Sequence, residues 1–289
     1  ISLRQQNYHG LITLIGEESY LPYQRPPLSK GFLAGEIEQE RLYLKKQSYF
    51  EKHNIHVIKD REVLGFDRDS KKVFLNDRKQ IEYGKLVLAT GSILNKIKTS
   101  CRKTNLYYLR TITDALKIQQ SLKDKNKITI IGAGYIGLEI ASIAARKNIN
   151  ITIIEMEDRV MSRVICPVVS DFFQKKHEAE GIKFKFNVSV VDIEDNHNQK
   201  KIKCSDGSVI DTDAVIIGVG IKPNVELAIN SGLVCEDGIS VDENGQTSDE
   251  SIFAAGDCTS HPNNIYQKRL RLESVHNAVE QAKSVAACI

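Results

Sequence analysis

The chain has 289 residues with 41% hydrophobic and 27% charged side chains, a composition typical of a globular protein of about two domains. Its formal net charge of +3 is too small to indicate a nucleic-acid-binding protein. Because no apolar run approaches the ~18 residues of a membrane helix and no signal peptide opens the chain, we predict a cytoplasmic protein without a membrane partner.

Six cysteines are scattered along the chain, and no two of them form a CxxC or other close pair. This spacing argues against a zinc site and against a dithiol redox motif, so no metal is predicted. Structural disulfides are unusual in a cytoplasmic enzyme, so we predict buried or inert thiols.

The first apolar run predicts a strand that ends in an acid. Residues 11–17 read LITLIGE, and residues 1–10 before them are typical of the end of a helix and its exit turn. This pattern is the second half of a βαβ unit whose first strand and glycine turn are missing. Since Ile1 is not a starting methionine, we expect the N-terminus to be truncated.

The segments that follow, up to residue 92, predict a loop and several short strands. Residues 20–33 form a proline-rich loop that runs into a short helix, and residues 55–88 carry alternating apolar runs typical of strands in a meander. The last run, LVLATGS at 86–92, predicts an apolar strand that ends at a glycine turn.

Residues 128–155 predict a dinucleotide-binding βαβ unit, in the order strand, glycine turn, helix, strand and acid. Gly132, Gly134 and Gly137 have the spacing GxGxxG after an apolar run that suits a buried parallel strand. The first glycine allows a tight turn, the second lets a pyrophosphate approach the backbone, and the third lets the helix pack closely on the strand. We therefore expect a nucleotide site here, although such a fingerprint usually opens a chain and 127 residues precede this one.

Glu155 ends the second strand of this unit, where a carboxylate can bind a ribose 2′-hydroxyl. Glu157 follows two residues later, and two carboxylates would repel the 2′-phosphate of NADPH. NADH is therefore the predicted cofactor, and a solvated strand end is the alternative explanation of Glu155.

The remaining segments predict further helices and strands, namely a helix near 167–180, strands near 182–194 and 201–204, an apolar strand with a glycine turn at 214–224, a strand at 251–257 and an amphipathic helix from about Ser274. Two acid-ended strands and two apolar strands with glycine turns indicate two nucleotide-binding domains in one chain. The predicted fold class is α/β.

Four charged side chains are candidates for cofactor contacts, and each has a simpler explanation. Arg25 and Lys30 flank the rigid Pro-Pro corner of RPPLSK, either near an anionic ligand or flavin ring or on an exposed loop. Asp257 follows a strand, either as a hydroxyl acceptor for a ribityl or ribose chain or as part of a turn. Glu139 lies near the start of the fingerprint helix, where a carboxylate also offsets the helix dipole by a few tenths of a kcal/mol up to ~1.

Seven motifs along the chain resemble one family of flavoproteins. They are, in order, LIGEESYLPYQRPPLSKGFL, LVLATGS, YYLRTITDA, IIGAGYIGLE, IIGVGIKPN, TSDESIFAAGDC and RLESVHNAVEQA. By these motifs the chain resembles the FAD-dependent ferredoxin reductases of bacterial haem monooxygenases and ring-hydroxylating dioxygenases, within the glutathione-reductase-like superfamily. The ending is similar to the haem-monooxygenase, putidaredoxin-reductase-like type, since the dioxygenase type usually has tryptophan where this chain has Val275.

The resemblance implies two Rossmann-like, three-layer nucleotide-binding domains, with the NADH domain inserted in a discontinuous FAD domain. Residues 1–106 and 222–289 are expected to form the FAD domain, and residues 107–221 the NADH domain. The first FAD strand with its glycines, and a C-terminal domain that the family normally has, are expected to be absent from this chain.

The resemblance also implies the cofactor contacts. Lys30 and Glu139 are expected to be the catalytic pair beside the flavin ring, where the nicotinamide docks. Glu17 is expected at the adenosine ribose of FAD, Asp257 at the ribityl chain, and the backbone of Val275 at the edge of the flavin ring. The residues expected to bind FAD are Glu17, Arg25, Lys30, Val63, Ala89, Thr90, Gly91, Arg110, Gly256, Asp257 and Val275. Those expected to bind NADH are Gly132, Gly134, Ile136, Gly137, Glu155 and Gly220.

The implied reaction is hydride transfer from NADH to FAD, followed by single-electron transfers to an acidic two-iron two-sulfur ferredoxin that serves an oxygenase. An acidic ferredoxin would dock on a basic surface. Lys268, Arg269 and Arg271 form one candidate docking cluster and Lys283 lies at a second, with plain solvated charges as the alternative.

Several related flavoproteins offer alternatives. Dithiol reductases, thioredoxin reductases and single-cysteine oxidases are excluded, because they need redox cysteines near the flavin or a CxxC pair, and no cysteine precedes Cys101. Monodehydroascorbate-reductase-like and nitrite-reductase-associated flavoproteins remain. An apoptosis-inducing-factor-like protein, which binds NADH and FAD but acts by changing shape and partner, is an alternative of a different class, and a non-functional truncated product is a third.

Overall fold

The computed structural model describes the whole chain, residues 1–289. The α-helices are α1 Ser2–Gln5, α2 Gly31–Ala34, α3 Gln47–Lys52, α4 Ile112–Asp124, α5 Tyr135–Ala145, α6 Pro167–Ala179, α7 Glu226–Asn230 and α8 Val275–Cys288, and 3₁₀ helices span Pro26–Ser29 and Gln39–Leu42. None of these helices combines the length and the apolar character needed to cross a membrane.

The strands are short and occur along the whole chain. They are β1 Ile12–Ile15, β2 Ile55–Ile58, β3 Val63–Asp67, β4 Lys72–Leu75, β5 Gln80–Glu82, β6 Leu86–Leu88, β7 Ser92–Leu94, β8 Leu106–Tyr108, β9 Lys127–Ile131, β10 Asn150–Ile154, β11 Lys183–Lys185, β12 Val190–Asn196, β13 Gln199–Cys204, β14 Val209–Thr212, β15 Ala214–Ile217, β16 Ile221–Pro223, β17 Cys235–Glu236, β18 Gly238–Ser240, β19 Ile252–Ala254, β20 Thr259–Asn263 and β21 Lys268–Leu270. The α/β class predicted from the sequence is confirmed.

The chain forms two compact units. Unit 1 comprises Ile1–Tyr23, Tyr43–Ile93 and Lys222–Ile289, and unit 2 comprises Gln24–Leu42 and Leu94–Ile221. Residues 94–221 of unit 2 lie between two segments of unit 1, and residue 221 is also the last residue of the predicted NADH domain.

The loop that contains RPPLSK belongs to unit 2, whereas the sequence predicted it in the FAD domain. Residues 24–42 and 94–106, expected in the first domain, belong to unit 2. The loop belongs to unit 2 because of apolar packing. Phe32 and Leu33 are buried, and α2 packs on α4 and α5. Gln119 of α4 also donates from Nε2 to the carbonyl oxygen of Phe32 at 3.2 Å.

Unit 2 is built on a five-stranded parallel sheet with the order β11-β10-β9-β15-β8. The central strand β9 pairs with β10 on one side and with β15 on the other. Its residues 128–131 are buried, which explains why the sequence is continuously apolar rather than alternating. The antiparallel sheet β12-β13-β14 adds Ile193, Ile202 and Ile210 to the same core as Ile131.

The two ends of the long segment of unit 2 lie side by side. Asn95, just after the segment begins, donates its backbone N–H to the carbonyl oxygen of Gly220 at 3.0 Å. Its side-chain Nδ2 donates to the carbonyl oxygen of Val219 at 3.3 Å. Two hydrogen bonds from one residue therefore join the entry of the segment to its exit.

Unit 1 contains several smaller sheets. Two are parallel pairs, β1 with β2 and β6 with β19. The meander expected over residues 55–88 is confined to β3, β4 and β5, which form an antiparallel sheet. The outer runs of that region, β2 and β6, pair instead in parallel with β1 and β19, and Leu88 of β6 is buried in one core with Ile252 and Ala254 of β19.

Unit 1 has no strand in the position that β9 has in unit 2. In both units the chain order is an acid-ended strand, a next strand, a meander and an apolar strand before a glycine turn. In unit 2 the first and last of these, β10 and β15, flank β9, whereas β1 and β6 have a partner on one side only. Leu14 and Val87 on these strands are 38% and 39% exposed. An open cavity of about 600 Å³ lies between the β1–β2 pair and the meander.

Candidate functional site

Two of the three glycines in the turn after β9 are required by steric contacts within the chain, and the third is not. Gly132 has φ +100°, and a Cβ there would overlap the carbonyl oxygen of Gly218. A Cβ at Gly137 would overlap the carbonyl oxygen of Gly132, so α5 can approach the turn only without a side chain here. At Gly134, by contrast, a Cβ would have nothing within 4 Å. The position of Gly134 is therefore open towards solvent, at the N-terminus of α5.

The N-terminus of α5 is suited to an anion. Gly134 is its N-cap residue and supplies no side-chain cap, so no capping side chain binds the first backbone N–H groups of this 11-residue helix. Ile136, in the first turn, is 39% exposed. A diphosphate fits such a helix end, because the backbone donors and the helix dipole both favour negative charge.

Glu155 lies directly beside this turn with a fixed carboxylate. Its Oε2 accepts a hydrogen bond from the backbone N–H of Ala133 at 2.6 Å, and its Oε1 accepts one from that of Glu157 at 3.0 Å. Each oxygen keeps a lone pair for a ribose hydroxyl. The carboxylate is therefore oriented before any ligand arrives.

The arginines near this strand end are arranged in a way that suits a nucleotide without a 2′-phosphate. Arg159 donates to the carbonyl oxygens of Ser162 and Ile165 at 2.7 and 3.0 Å, so its guanidinium is already engaged. Arg163 is exposed and has Nη2 3.6 Å from the place of a Cβ on Gly220, at the end of β15. Neither guanidinium is placed at the Glu155 carboxylate.

Lys30 and Glu139, the predicted catalytic pair, form an ion pair. Lys30 Nζ lies 2.9 Å from Glu139 Oε1, although the residues are far apart in the sequence. Glu139 extends from α5, and Lys30 follows the 3₁₀ helix Pro26–Ser29. Ser29 Oγ donates to the other carboxylate oxygen, Glu139 Oε2, at 2.5 Å.

Arg25 and Arg110 are also brought together. Arg25 donates from Nη1 to the carbonyl oxygen of Arg110 at 2.6 Å. Arg110 immediately precedes Thr111, which caps α4 in a reciprocal capping box with Asp114. The backbone N–H of Arg110 donates to Asp114 at 3.1 Å, so the helix cap fixes the segment that Arg25 contacts.

In unit 1 the turns after β6 and β19 lie side by side. Because these strands are parallel, their carboxyl ends meet at one edge, and the backbone N–H of Ala255 donates to the carbonyl oxygen of Leu88 at 3.1 Å. Buried Ser92 then donates from Oγ to Asp257 Oδ2 at 3.1 Å. Thr90 donates to the carbonyl oxygen of Asn224 at 2.6 Å.

The remaining predicted FAD contacts lie around the same unit. Ala89 is exposed, Gly91 has φ +65° and Gly256 has φ +90°, so the two glycine turns have the left-handed geometry that favours glycine. Val275 is the first residue of α8 and is 61% exposed.

Glu17 and Val63 lie on neighbouring segments at the end of β1. Glu17 is exposed just after that strand, and Val63 is the first residue of β3. The turn between β2 and β3 approaches β1, because the backbone N–H of Arg61 donates to the carbonyl oxygen of Gly16 at 3.1 Å. A carboxylate and a backbone edge suited to an adenosine group are thus close together.

Sequence reasoning missed three residues that hold this machinery in place. Ser29 binds Glu139, Ser92 binds Asp257, and Gln281 of α8 accepts at Oε1 from the backbone N–H of Gly256 at 2.7 Å and from Thr259 Oγ1 at 3.0 Å. Each lies inside a motif that the sequence analysis had noted. The motif indicates that the segment is functional, but the partners are 22 or more residues away.

Two arginines of the basic cluster proposed for docking have partners within the chain. Arg269 donates to the carbonyl oxygen of Val241 at 2.8 Å, and Arg271 forms ion pairs with Asp237 at 3.0 Å and with Glu273. Lys268, the third member of the cluster, is exposed. Lys283, the second candidate, pairs with Glu280 at 2.7 Å.

All six cysteines are free thiols in the structure. Burial raises the pKa of the Cys235 and Cys258 thiols, which lowers their thiolate fraction near neutral pH. These two cysteines have the unreactive character that the sequence predicted.

Comparison with known proteins identifies the family. The model of the pyridine nucleotide-disulphide oxidoreductase family matches residues 1–282. Rhodocoxin reductase of Rhodococcus erythropolis is 39% identical over 289 residues, which cover 99% of this chain and 68% of that protein. A rubredoxin-NAD(+) reductase of Pseudomonas putida is 37% identical over 291 residues, covering 99% of this chain and 75% of that protein.

The fold is also shared with solved structures. The covalent complex of putidaredoxin reductase with putidaredoxin contains a chain that matches with a TM-score of 0.95 and 37% identity, over 99% of this chain and 70% of that one. Members of this family bind FAD and use NAD(P)H. This chain therefore belongs to the pyridine nucleotide-disulphide oxidoreductase family, among its flavoprotein ferredoxin reductases.

Proposed function

We propose that this protein is an NADH-dependent reductase that passes electrons through FAD to an acidic two-iron two-sulfur ferredoxin serving an oxygenase, in the cytoplasm. The observation that carries the proposal is the ion pair between Lys30 and Glu139. Glu139 extends from the same helix whose N-terminus forms the nucleotide turn, and Lys30 belongs to the loop with the expected flavin contacts. One ion pair thus joins the two segments between which a hydride has to pass.

The residues of unit 2 fit NADH. The open position at Gly134 and the uncapped N-terminus of α5 would hold the diphosphate, with Gly132, Ile136, Gly137 and Gly220 forming the surrounding turn. Glu155, already fixed by two backbone N–H groups, would bind the ribose hydroxyls.

The residues of the FAD site have donors and acceptors of the right chemistry. Asp257, oriented by Ser92, and the exposed Glu17 are carboxylates that accept hydrogen bonds from ribityl and ribose hydroxyls. The further contacts would come from Arg25, Lys30, Val63, Ala89, Thr90, Gly91, Arg110, Gly256 and Val275. When bound, FAD accepts a hydride as an electron pair and gives electrons up singly, which links NADH to a one-electron ferredoxin.

The chain's own part in the reaction is positional and electrostatic. Lys30 would place a positive charge where negative charge develops as the hydride is transferred, and Glu139 would keep that ammonium in place. Because Glu139 is 28% exposed and Lys30 54% exposed, the pair remains accessible to a nicotinamide.

Removing the carboxylate of Glu155 is expected to reduce the preference for NADH over NADPH by roughly tenfold, since two hydroxyl hydrogen bonds are lost and repulsion of the 2′-phosphate is relieved. The ratio of kcat/KM for the two nucleotides measures this in Glu155→Ala. Glu157→Ala is the comparison variant, and it is expected to change the ratio less, because it relieves repulsion of the 2′-phosphate without removing a hydroxyl hydrogen bond, and the backbone N–H that fixes Glu155 is retained. An unchanged ratio in Glu155→Ala would mean that Glu155 does not bind the ribose.

The electron acceptor separates the proposal from its alternatives. A monodehydroascorbate-reductase-like protein would prefer a small organic acceptor, and an apoptosis-inducing-factor-like protein would turn over slowly and keep a long-lived complex with the nicotinamide. The name of the rubredoxin-NAD(+) reductase indicates that relatives of equal similarity also serve a different iron protein.

We expect the FAD-loaded protein to reduce a two-iron two-sulfur ferredoxin with NADH at a steady-state rate of ~1 s⁻¹ or more, the lower end of ordinary enzyme turnover. Absorbance of the ferredoxin measures the rate, with rubredoxin and monodehydroascorbate as competing acceptors in parallel assays. Slow turnover with every acceptor, together with a persistent long-wavelength absorption band, would favour the switch-like alternative.

A further inference from the structure

Ser29 is a buried hydroxyl with one strong partner. It is 5% exposed at the end of the 3₁₀ helix Pro26–Ser29. Its Oγ lies 2.5 Å from Glu139 Oε2 and 3.5 Å from the carbonyl oxygen of Pro26. A hydroxyl has one proton to donate, and the distances assign it to the carboxylate.

The two oxygens of Glu139 therefore have different kinds of partner. Oε2 receives the buried hydroxyl of Ser29, whereas Oε1 faces the Lys30 ammonium at 2.9 Å. The lysine side chain is 54% exposed, and an ion pair so exposed is weak and leaves its long side chain mobile. The hydrogen bond from the buried serine is the better-fixed of the two contacts.

Other charged groups line the same pocket as the pair. A shallow pocket of about 270 Å³ beside them is also lined by Glu36 and Arg146. Arg146 follows α5, the helix that carries Glu139, and could attract a carboxylate that turned away from Lys30. Glu36 could attract Lys30 in the same way. A carboxylate held in one orientation would favour the observed pair over the alternative pairs Glu139 with Arg146 and Lys30 with Glu36.

We propose that Ser29 is a positioning residue: it holds the Glu139 carboxylate in the orientation that keeps the Lys30 ammonium at the candidate hydride-transfer site. The proposal rests on the proposed function for the role of Lys30. The link from Ser29 through Glu139 to Lys30 rests on the hydrogen bond and the ion pair alone.

The first experiment tests the link from Ser29 to Lys30 in the protein without any cofactor. The ε-amine of Lys30 is acetylated under pseudo-first-order conditions at fixed pH and quantified by mass spectrometry. Ser29→Ala is expected to raise the rate at Lys30 by about threefold, and Glu139→Gln by at least as much, because an amine held against a carboxylate is less accessible to the acylating reagent than a freely moving one. Ser29→Thr, which keeps a hydroxyl, is expected to return the rate to that of the parent.

Ser121→Ala is the matched control. Ser121 is a buried serine of α4 in the same unit, and its Oγ has no hydrogen-bond partner. Its replacement is expected to leave Lys30 labelling unchanged. Ser29→Cys, which keeps the side-chain volume but is a weak donor, gives the same readout if Ser29→Ala does not fold.

The second experiment measures the rate of flavin reduction by NADH. In the FAD-loaded protein, Ser29→Ala is expected to slow flavin reduction by NADH by about threefold with little change in NADH affinity, and to have no added effect in a Glu139→Gln background. Unchanged labelling of Lys30 in Ser29→Ala and Ser29→Cys would overturn the proposal. Faster labelling with an unchanged rate of flavin reduction would uphold the link to Lys30 and contradict the proposed function instead.

Discussion

Replacing Lys30 by methionine is expected to slow reduction of the bound flavin by NADH by about tenfold or more, which corresponds to ~1.4 kcal/mol of transition-state stabilisation. Methionine has a similar length but no charge, so it removes the cation that lies 2.9 Å from Glu139 and leaves that carboxylate without its ion-pair partner. The affinity for NADH should change less than the rate, because the contacts proposed for the diphosphate and the ribose do not include Lys30.

Stopped-flow absorbance of the flavin measures this rate under excess NADH. Lys117→Met is the control, because Lys117 is an exposed lysine of α4 in the same unit. Lys30→Arg, which keeps the positive charge, is expected to retain part of the rate. A rate for Lys30→Met within about twofold of the parent would show that Lys30 has no role in the reaction. A twofold change is too small for the loss of a charge beside the reacting atoms.

The second large effect concerns the glycine turn, where two alanine substitutions are expected to act in different ways. Gly137→Ala places a Cβ against the carbonyl oxygen of Gly132, so α5 has to shift away from β9. Overpacking of this kind costs ~1–3 kcal/mol, and we expect lower thermal stability together with NADH binding weakened by about tenfold or more. Gly134→Ala meets nothing within 4 Å in the free protein, so its stability should be unchanged.

Binding of NADH should nevertheless fail in Gly134→Ala, because the added methyl group lies where the diphosphate has to approach the backbone. Calorimetric titration with NADH and thermal melts of both variants measure the two effects separately. Normal affinity in Gly134→Ala would show that the nucleotide does not approach the N-terminus of α5. Equal melting temperatures for Gly137→Ala and the parent would contradict the packing role of that glycine.

The local parts of the fold could be predicted because their signals are local. The βαβ unit at 128–155 combines buried apolar strands with glycines whose need is steric, and both properties can be read from neighbouring residues. The final helix was expected from Ser274, whose Oγ accepts from the backbone N–H of Asn277 at 3.1 Å and caps α8. A serine just before an amphipathic run is a preferred N-cap residue, so this helix start can be recognised from the sequence.

The parts that could not be predicted depend on distant partners. Ser29 and Glu139 are 110 residues apart, and β6 pairs with β19 although one lies near residue 87 and the other near 253. The partners of the basic cluster are another example. Arg271 has Glu273 in its own segment, but only the fold brings Asp237 to it. Side-chain pairing across the chain is a property of tertiary packing, which a motif indicates but does not specify.

The hydrogen bonds between Asn95 and residues 219–220 have a consequence for how the chain folds. In unit 1, Leu86 of β6 pairs with Ile252 of β19, and all of residues 94–221 lie in the loop between them. Closing such a long flexible loop costs conformational entropy that increases with its length. Once unit 2 has folded, its adjacent ends shorten that loop to residues 89–93 and 222–251. Unit 1 is therefore expected to assemble last, and a change that delays folding of unit 2 will also delay a domain whose own residues are untouched.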